Sequence, residues 1–143
     1  MADLTGKAWM AVGETDDPEA VIESYEAFEE VTKGWAVELT NDGKVRVTAT
    51  SWYGFGVALK SVAAGEMVPV LRRGRVKMTA NGVFSAAGVA VRNAGGGKVT
   101  ELNDQPVNEG GAGQYTIYYS RKLGTALQKA NADGDLIFVD VGS

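Results

Sequence analysis

No cysteine and no histidine occurs among the 143 residues. The first absence removes disulfides, thiolate nucleophiles and Cys-ligated metals. The second removes the commonest general base and the commonest neutral metal ligand. Proline is scarce, at 3 residues, while glycine reaches 19, a balance that suits tight turns between short strands better than a disordered linker. Basic residues are too few and too scattered for a phosphate-binding face: Lys and Arg total 14 against 18 Asp and Glu, for a net charge of −4. Neither a signal-peptide core nor a run of about 20 apolar residues is present, so the sequence is expected to be soluble and non-secreted, without a membrane partner.

What is present is an ordinary globular composition, 45% hydrophobic and 22% charged, long enough for one domain with a real core. A figure recurs within it. Gly56-Val57-Ala58-Leu59, then Ala63-Ala64-Gly65-Glu66 and an apolar run, is echoed by Gly124-Thr125-Ala126-Leu127, then Ala132-Asp133-Gly134-Asp135 and a second apolar run. Upstream, Gly34 and Gly43 stand nine positions apart, as do Gly88 and Gly97, and a Lys-Val follows each second glycine. Repeated figures in the same order point to an internal duplication. The halves span about 33–71 and 87–140, and the second carries an insert at 103–114. Each half reads strand, Gly-Lys turn, strand, Gly-x-Ala-Leu strand, acidic turn, strand. The expected fold is therefore mainly β: a small β-barrel or β-sandwich with internal duplication, an N-terminal arm over 1–17 and a single β domain over 18–143.

Residues 18–31 carry the strongest helical signal. Asp16 or Asp17 suits an N-cap, Pro18 the first turn, and Val21, Ile22, Tyr25 and Phe28 share one helical face. One short acidic helix is expected here, its Glu face solvated. Asn41-Asp42-Gly43 marks a hairpin, and Val45 and Val47 alternate as in a half-buried strand. Pro69 lacks an N–H, which predicts an edge or bulged strand. Arg72, Arg73 and Arg75 suggest a solvated turn, with an acidic protein neighbour as the functional alternative. Residues 103–114 have the composition of a polar, Gly-rich loop, and 114–120, with Tyr115, Tyr118 and Tyr119, that of a strand.

Chemistry-bearing constellations are thin. Glu66 with Asp135, or Asp104 with Glu109, are the carboxylate pairs to weigh, and Gly-acid at Glu66 and Asp135 is ordinary turn chemistry. The acidic run lacks the spacing of a calcium loop. Gly95–Gly97 is followed by no Lys-Ser/Thr and opens no helix, unlike a phosphate loop. The expectation is a binding protein without catalytic residues, cofactor or metal. Leu4, Trp9, Met10 and Val12 are the apolar residues that an arm offers to a partner. Trp52 and Tyr53 fit either a core or an interface between subunits.

The ordered set Gly34–Val45, Gly54–Leu59, Ala63–Val70, Gly74–Ala80, Gly124–Leu127 and Asp133–Val139 resembles the capsid cement, or head decoration, proteins of tailed viruses, over about residues 30–141. That resemblance implies a compact β-barrel or β-sandwich that lacks an active site. It implies binding to the major capsid protein on the exterior of an expanded capsid, commonly as a homotrimer. The arm residues then become capsid contacts, and Trp52, Tyr53, Arg72, Arg73 and Arg75 candidate subunit contacts. The acidic 14–30 segment and the 103–114 insert depart from the family pattern. A carbohydrate-binding or adhesive β-module, stacking Trp52, Tyr53, Tyr115, Tyr118 and Tyr119 on sugar faces, is the alternative reading.

Overall fold

Among the described residues the chain forms eleven strands and no helix. They are β1 (Val21–Glu26), β2 (Ala36–Leu39), β3 (Val45–Val47), β4 (Gly56–Ala58), β5 (Met67–Ala80), β6 (Ala90–Gly95), β7 (Lys98–Glu101), β8 (Gln105–Glu109), β9 (Ala112–Thr116), β10 (Lys122–Ala126) and β11 (Leu136–Val141). The computed structural model describes residues 10–47, 55–95, 98–102, 105–109, 112–116 and 122–142.

β5, 14 residues long, is the axis of the molecule. Its first half pairs with β1 and β4, β4 with β2, and β2 with β3. A parallel bridge from Ala27 to Val45 returns the circuit to the end of β1. Its second half pairs with β11, β11 with β10, β10 with β6, β6 with β7, and β7 returns parallel to β5. Each circuit is a five-stranded barrel of the same strand order, and β5 closes the first and opens the second.

The duplication holds to the level of single hydrogen bonds. Leu59 N–H donates to Pro69 O, and Leu127 N–H to Phe138 O, both at 2.9 Å. Gly34 N–H donates to Ala58 O, and Gly88 N–H to Ala126 O, both at 2.7 Å. Val37 faces Val47 and Gly56, as Val91 faces Glu101 and Gly124. The structural repeat also starts earlier than the sequence signature does. β1 corresponds to the second half of β5, with Tyr25 opposite Val68 and Met78 opposite Ile137.

The two cores correspond as well. Ala27, Val31, Val37, Val45, Ala58, Val62, Val68 and Val70 fill the first barrel. Ala80, Phe84, Val91, Val99, Ala126, Ala130, Ile137 and Val139 take the same places in the second. Ala36, Val57 and Leu71 alternate with first-barrel core residues along their strands, yet they belong to the second core. The outer wall of the first barrel therefore covers one end of the second, over Val76, Met78, Leu123 and Val141. The second barrel's own outer wall has Thr125 and Asp140 where the first has Val57 and Leu71, as suits a wall that covers no third barrel.

The glycine of Gly-x-Ala-Leu is explained by close approach. A Cβ on Gly56 would lie 2.6 Å from the Leu71 carbonyl oxygen, and one on Gly124 would overlap the equivalent Asp140 oxygen. Pro69 lies in an interior strand rather than at an edge, and that strand is bulged against β1, with Val21 opposite Arg73 but Ile22 opposite Leu71. Its missing N–H falls where the equivalent Phe138 N–H turns away from the ladder and needs the Gln128 side-chain oxygen, at 2.8 Å. The first barrel has Lys60 in place of Gln128 and a proline in place of the donor, so nothing is left unsatisfied.

Three further expectations are corrected. Residues 21–26 form β1 rather than a helix, because pairing with β5 along the whole segment outweighs a modest helical propensity. Arg72, Arg73 and Arg75 lie within β5 rather than in a turn. Much of 103–114 is ordered as strand: β8 and β9 form a two-stranded sheet with Gln105 opposite Thr116 and Glu109 opposite Ala112.

Two outcomes follow for stability, each read from chemical or thermal denaturation. Gly56→Ala and Gly124→Ala each destabilise by about 1–3 kcal/mol, because backbone must move to admit the methyl. Gln128→Ala destabilises by about 1–3 kcal/mol by orphaning the buried Phe138 N–H, whereas Lys60→Ala stays within about 0.5 kcal/mol of wild type.

Candidate binding surface

Among the described residues, no wall of strands covers the end of the first barrel that corresponds to the covered end of the second. Where the second barrel has Val76, Met78, Leu123 and Val141, the first has Glu23, Tyr25, Phe55 and Arg72. Arg72 closes this mouth. Its guanidinium carbon lies 3.8 Å from the Phe55 ring centroid, and its Nε donates to Phe55 O at 3.0 Å. Its Nη1 donates to Glu23 Oε1 at 3.1 Å and to the Tyr25 hydroxyl at 3.3 Å. Tyr25 meets Phe55 edge to face, at 5.3 Å and 75°. A planar cation stacked on an aromatic face and tied to a carboxylate makes a rigid, amphipathic surface of the kind protein interfaces favour.

Residues 10–17 run across the junction of the barrels. Gly13 N–H donates to Lys77 O at 2.8 Å, and Lys77 N–H donates to Glu14 O at 3.2 Å. Gly13 must be glycine: its φ is 81°, and a Cβ would sit 2.7 Å from Gly34 N. Asp17 Oδ1 accepts from Glu19 N–H at 2.9 Å, and its Oδ2 from Arg75 N–H at 3.2 Å. Arg75 Nη2 lies 3.0 Å from Asp16 Oδ1.

The candidate residues therefore scatter. Met10 is buried, at 4% exposure, and Val12 is half-buried against Gly34, so these two fasten the segment to the barrels. Arg72 is engaged in the mouth and Arg75 by Asp16, while Arg73 is exposed beside a surface depression of about 370 Å³ that it shares with Asp17, Glu19 and Asp140. Leu4, Trp9, Trp52 and Tyr53 lie outside the described residues, as do Tyr118 and Tyr119. Sequence reasoning missed Phe55 and Tyr25 as surface partners of Arg72. The helical period of 18–31 puts Tyr25 on a helix face and Phe55 carries no signal of its own, and only the repeat alignment shows that no described strand wall covers this barrel end. Exposed apolar side chains flank the same barrel at Val21, Ile22, Phe28, Leu39 and Met67. Among the described residues, no group of three or more His, Cys, Asp or Glu side chains is placed to hold a metal ion.

Surface charge is paired differently in the two repeats. Lys44 Nζ lies 2.7 Å from Glu26 of β1, whereas the equivalent Lys98 lies 3.4 Å from Asp133 in the acidic turn. Hydrogen bonding to Glu26, then its charge, holds the Lys44 ammonium above the usual lysine value. The Gly82 N–H, then Lys98, holds the Asp133 carboxyl below the usual aspartate value. The Lys44 contribution is present below the ordinary lysine range and is lost as pH rises through the raised value. The Asp133 contribution is present above the ordinary aspartate range and is lost as pH falls through the lowered value.

No protein-family model and no curated protein sequence matches the chain.

A carboxyl-detected NMR titration should place Asp133 below exposed aspartates. Lys98→Met should restore only part of the shift, because the backbone donor is the larger cause. Full restoration would assign the shift to the lysine instead.

Proposed function

We propose that this protein is a capsid cement, or head decoration, protein. It binds the outer surface of an expanded viral capsid as a homotrimer, and its N-terminal residues, Leu4 and Trp9 among them, contact the major capsid protein. It acts by binding alone, with no catalysed reaction, cofactor, nucleic acid or membrane involved, and its working location is the virion exterior. The observation that carries the reading is that the motifs behind the family resemblance, Gly56–Leu59 with Gly65–Val70 and Gly124–Leu127 with Gly134–Val139, are the matched hairpins that build both barrels. A cement protein needs a stiff body that spans several lattice subunits. Two barrels joined through one strand supply that stiffness, and closed circuits keep most strand edges satisfied. Weak contacts repeated over a lattice reinforce one another through effective concentration.

Two measurements test this. Mixed with expanded empty capsids of the virus that encodes it, the protein should co-sediment at a fixed, saturable ratio. Removing residues 1–9 should weaken that binding without changing the melting temperature. The cut stops before Met10 because 10–17 are packed on the barrels. A monomer that stays in the supernatant but is retained on a glycan surface would replace this reading with the carbohydrate-binding one.

A further inference from the structure

The duplication sets an occupied strand edge beside a counterpart that no described residue fills. At the pair Lys77–Phe138, both residues turn their backbone groups away from each other: Phe138 toward Leu127 and Gln128, and Lys77 toward Gly13 and Glu14. Two residues earlier, Arg75 N–H is taken by Asp17. The outward edge of the second barrel's first strand is thus filled by a segment of this chain. In the first barrel the equivalent pair is Ser24–Pro69. Pro69 O accepts from Leu59, so Ser24, like Lys77, turns its N–H and C=O outward. Ile22 occupies the place of Arg75. Among the described residues nothing bonds the outward groups of Ser24, and Val21–Ser24 are exposed. The edge left open in the first barrel adjoins the barrel end left open, with Tyr25 and Phe55 at its rim.

We propose that the outer edge of β1 at Ile22–Ser24 is a strand-acceptor site, and that its occupant is an extended, basic segment of a partner protein. Backbone hydrogen bonds would supply the affinity and alternate side chains the specificity. Charge selects the occupant. Between Glu14 and Glu30 there are eight carboxylates and no Lys or Arg. Arg75, Arg72 and Lys44 neutralise Asp16, Glu23 and Glu26, while Glu19, Glu29 and Glu30 are exposed and form no ion pair among the described residues. A second copy of β1 would bring the same carboxylates face to face, which disfavours self-pairing. A Lys- or Arg-bearing strand instead brings positive charge toward the unpaired Glu19, Glu29 and Glu30 that flank β1 in the sequence. Under the function proposed above, on which only the partner's identity rests, that strand belongs to the capsid protein.

The test uses the full chain and a capsid-free probe, the hexapeptide acetyl-Lys-Val-Lys-Val-Lys-Val-amide. In amide NMR, the Ile22 and Ser24 N–H signals should shift saturably and gain protection from hydrogen exchange, while Glu23 and Tyr25, already turned toward β5, change less. The same peptide with Glu for Lys should not bind. Ser24→Pro removes the outward donor without removing a bond to β5 and should weaken binding about tenfold or more. Ser24→Lys keeps the backbone intact, adds a repelling charge and should weaken binding as well. The site is overturned if wild type and both variants bind alike, or if the Ile22 and Ser24 amides stay as open to exchange as in the free protein. Co-sedimentation of the same variants with expanded capsids is scored separately. Wild type that takes up the peptide but does not pellet with capsids refutes the cement reading and leaves the acceptor edge standing. Capsid binding that ignores Ser24→Pro, with no peptide uptake, does the reverse.

Discussion

Everything in this molecule depends on β5 being shared. One continuous strand supplies the last ladder of the first barrel and the first ladder of the second, so the barrels cannot change their relative placement without breaking pairings on both sides of Gly74. Gly74 is where one role passes to the other. Its φ of 129° is a conformation L side chains rarely adopt, and a Cβ there would crowd Ala20 at 3.2 Å. The strap over residues 10–17 follows from the same constraint. A strand that changes barrels leaves an outward edge at Arg75 and Lys77, and the strap satisfies it.

How much of this could be read beforehand differs by segment. The hairpins around Gly56 and Gly124 were legible because backbone-to-backbone approach imposes glycine in both copies, whatever surrounds them. The first strand of each repeat was not. Val21–Glu26 and Gly74–Ala80 share geometry but almost no sequence, since one lines an open barrel end and the other a covered one. Burial demands apolar Val76 and Met78 where exposure permits Glu23 and Tyr25. The same freedom let β1 show a helical period. Pro69 suggests an edge for a related reason: an interior strand tolerates proline wherever the local N–H points away from its ladder, which one sequence does not reveal.

The binding surface was legible in its charge but not in its geometry. The density of carboxylates over 14–30 is plain in the sequence, where a helical period would put its glutamates on a solvated face. On a strand, the same residues border a row of backbone groups turned to solvent, and charge becomes a filter on what pairs there. The Arg72 cluster likewise emerges only when the two barrels are superposed residue by residue. Its members replace an apolar quartet that the second barrel buries.

The shared strand also bears on how the protein comes apart. Ordering β5 fixes the backbone of 14 residues, and that entropic cost is met once for two barrels. Whichever barrel forms first hands the other an already extended template. Loss of either removes one side of the strand on which the other is built. The two repeats, joined by this strand and by Ala36, Val57 and Leu71 reaching into the second core, therefore form a single cooperative unit.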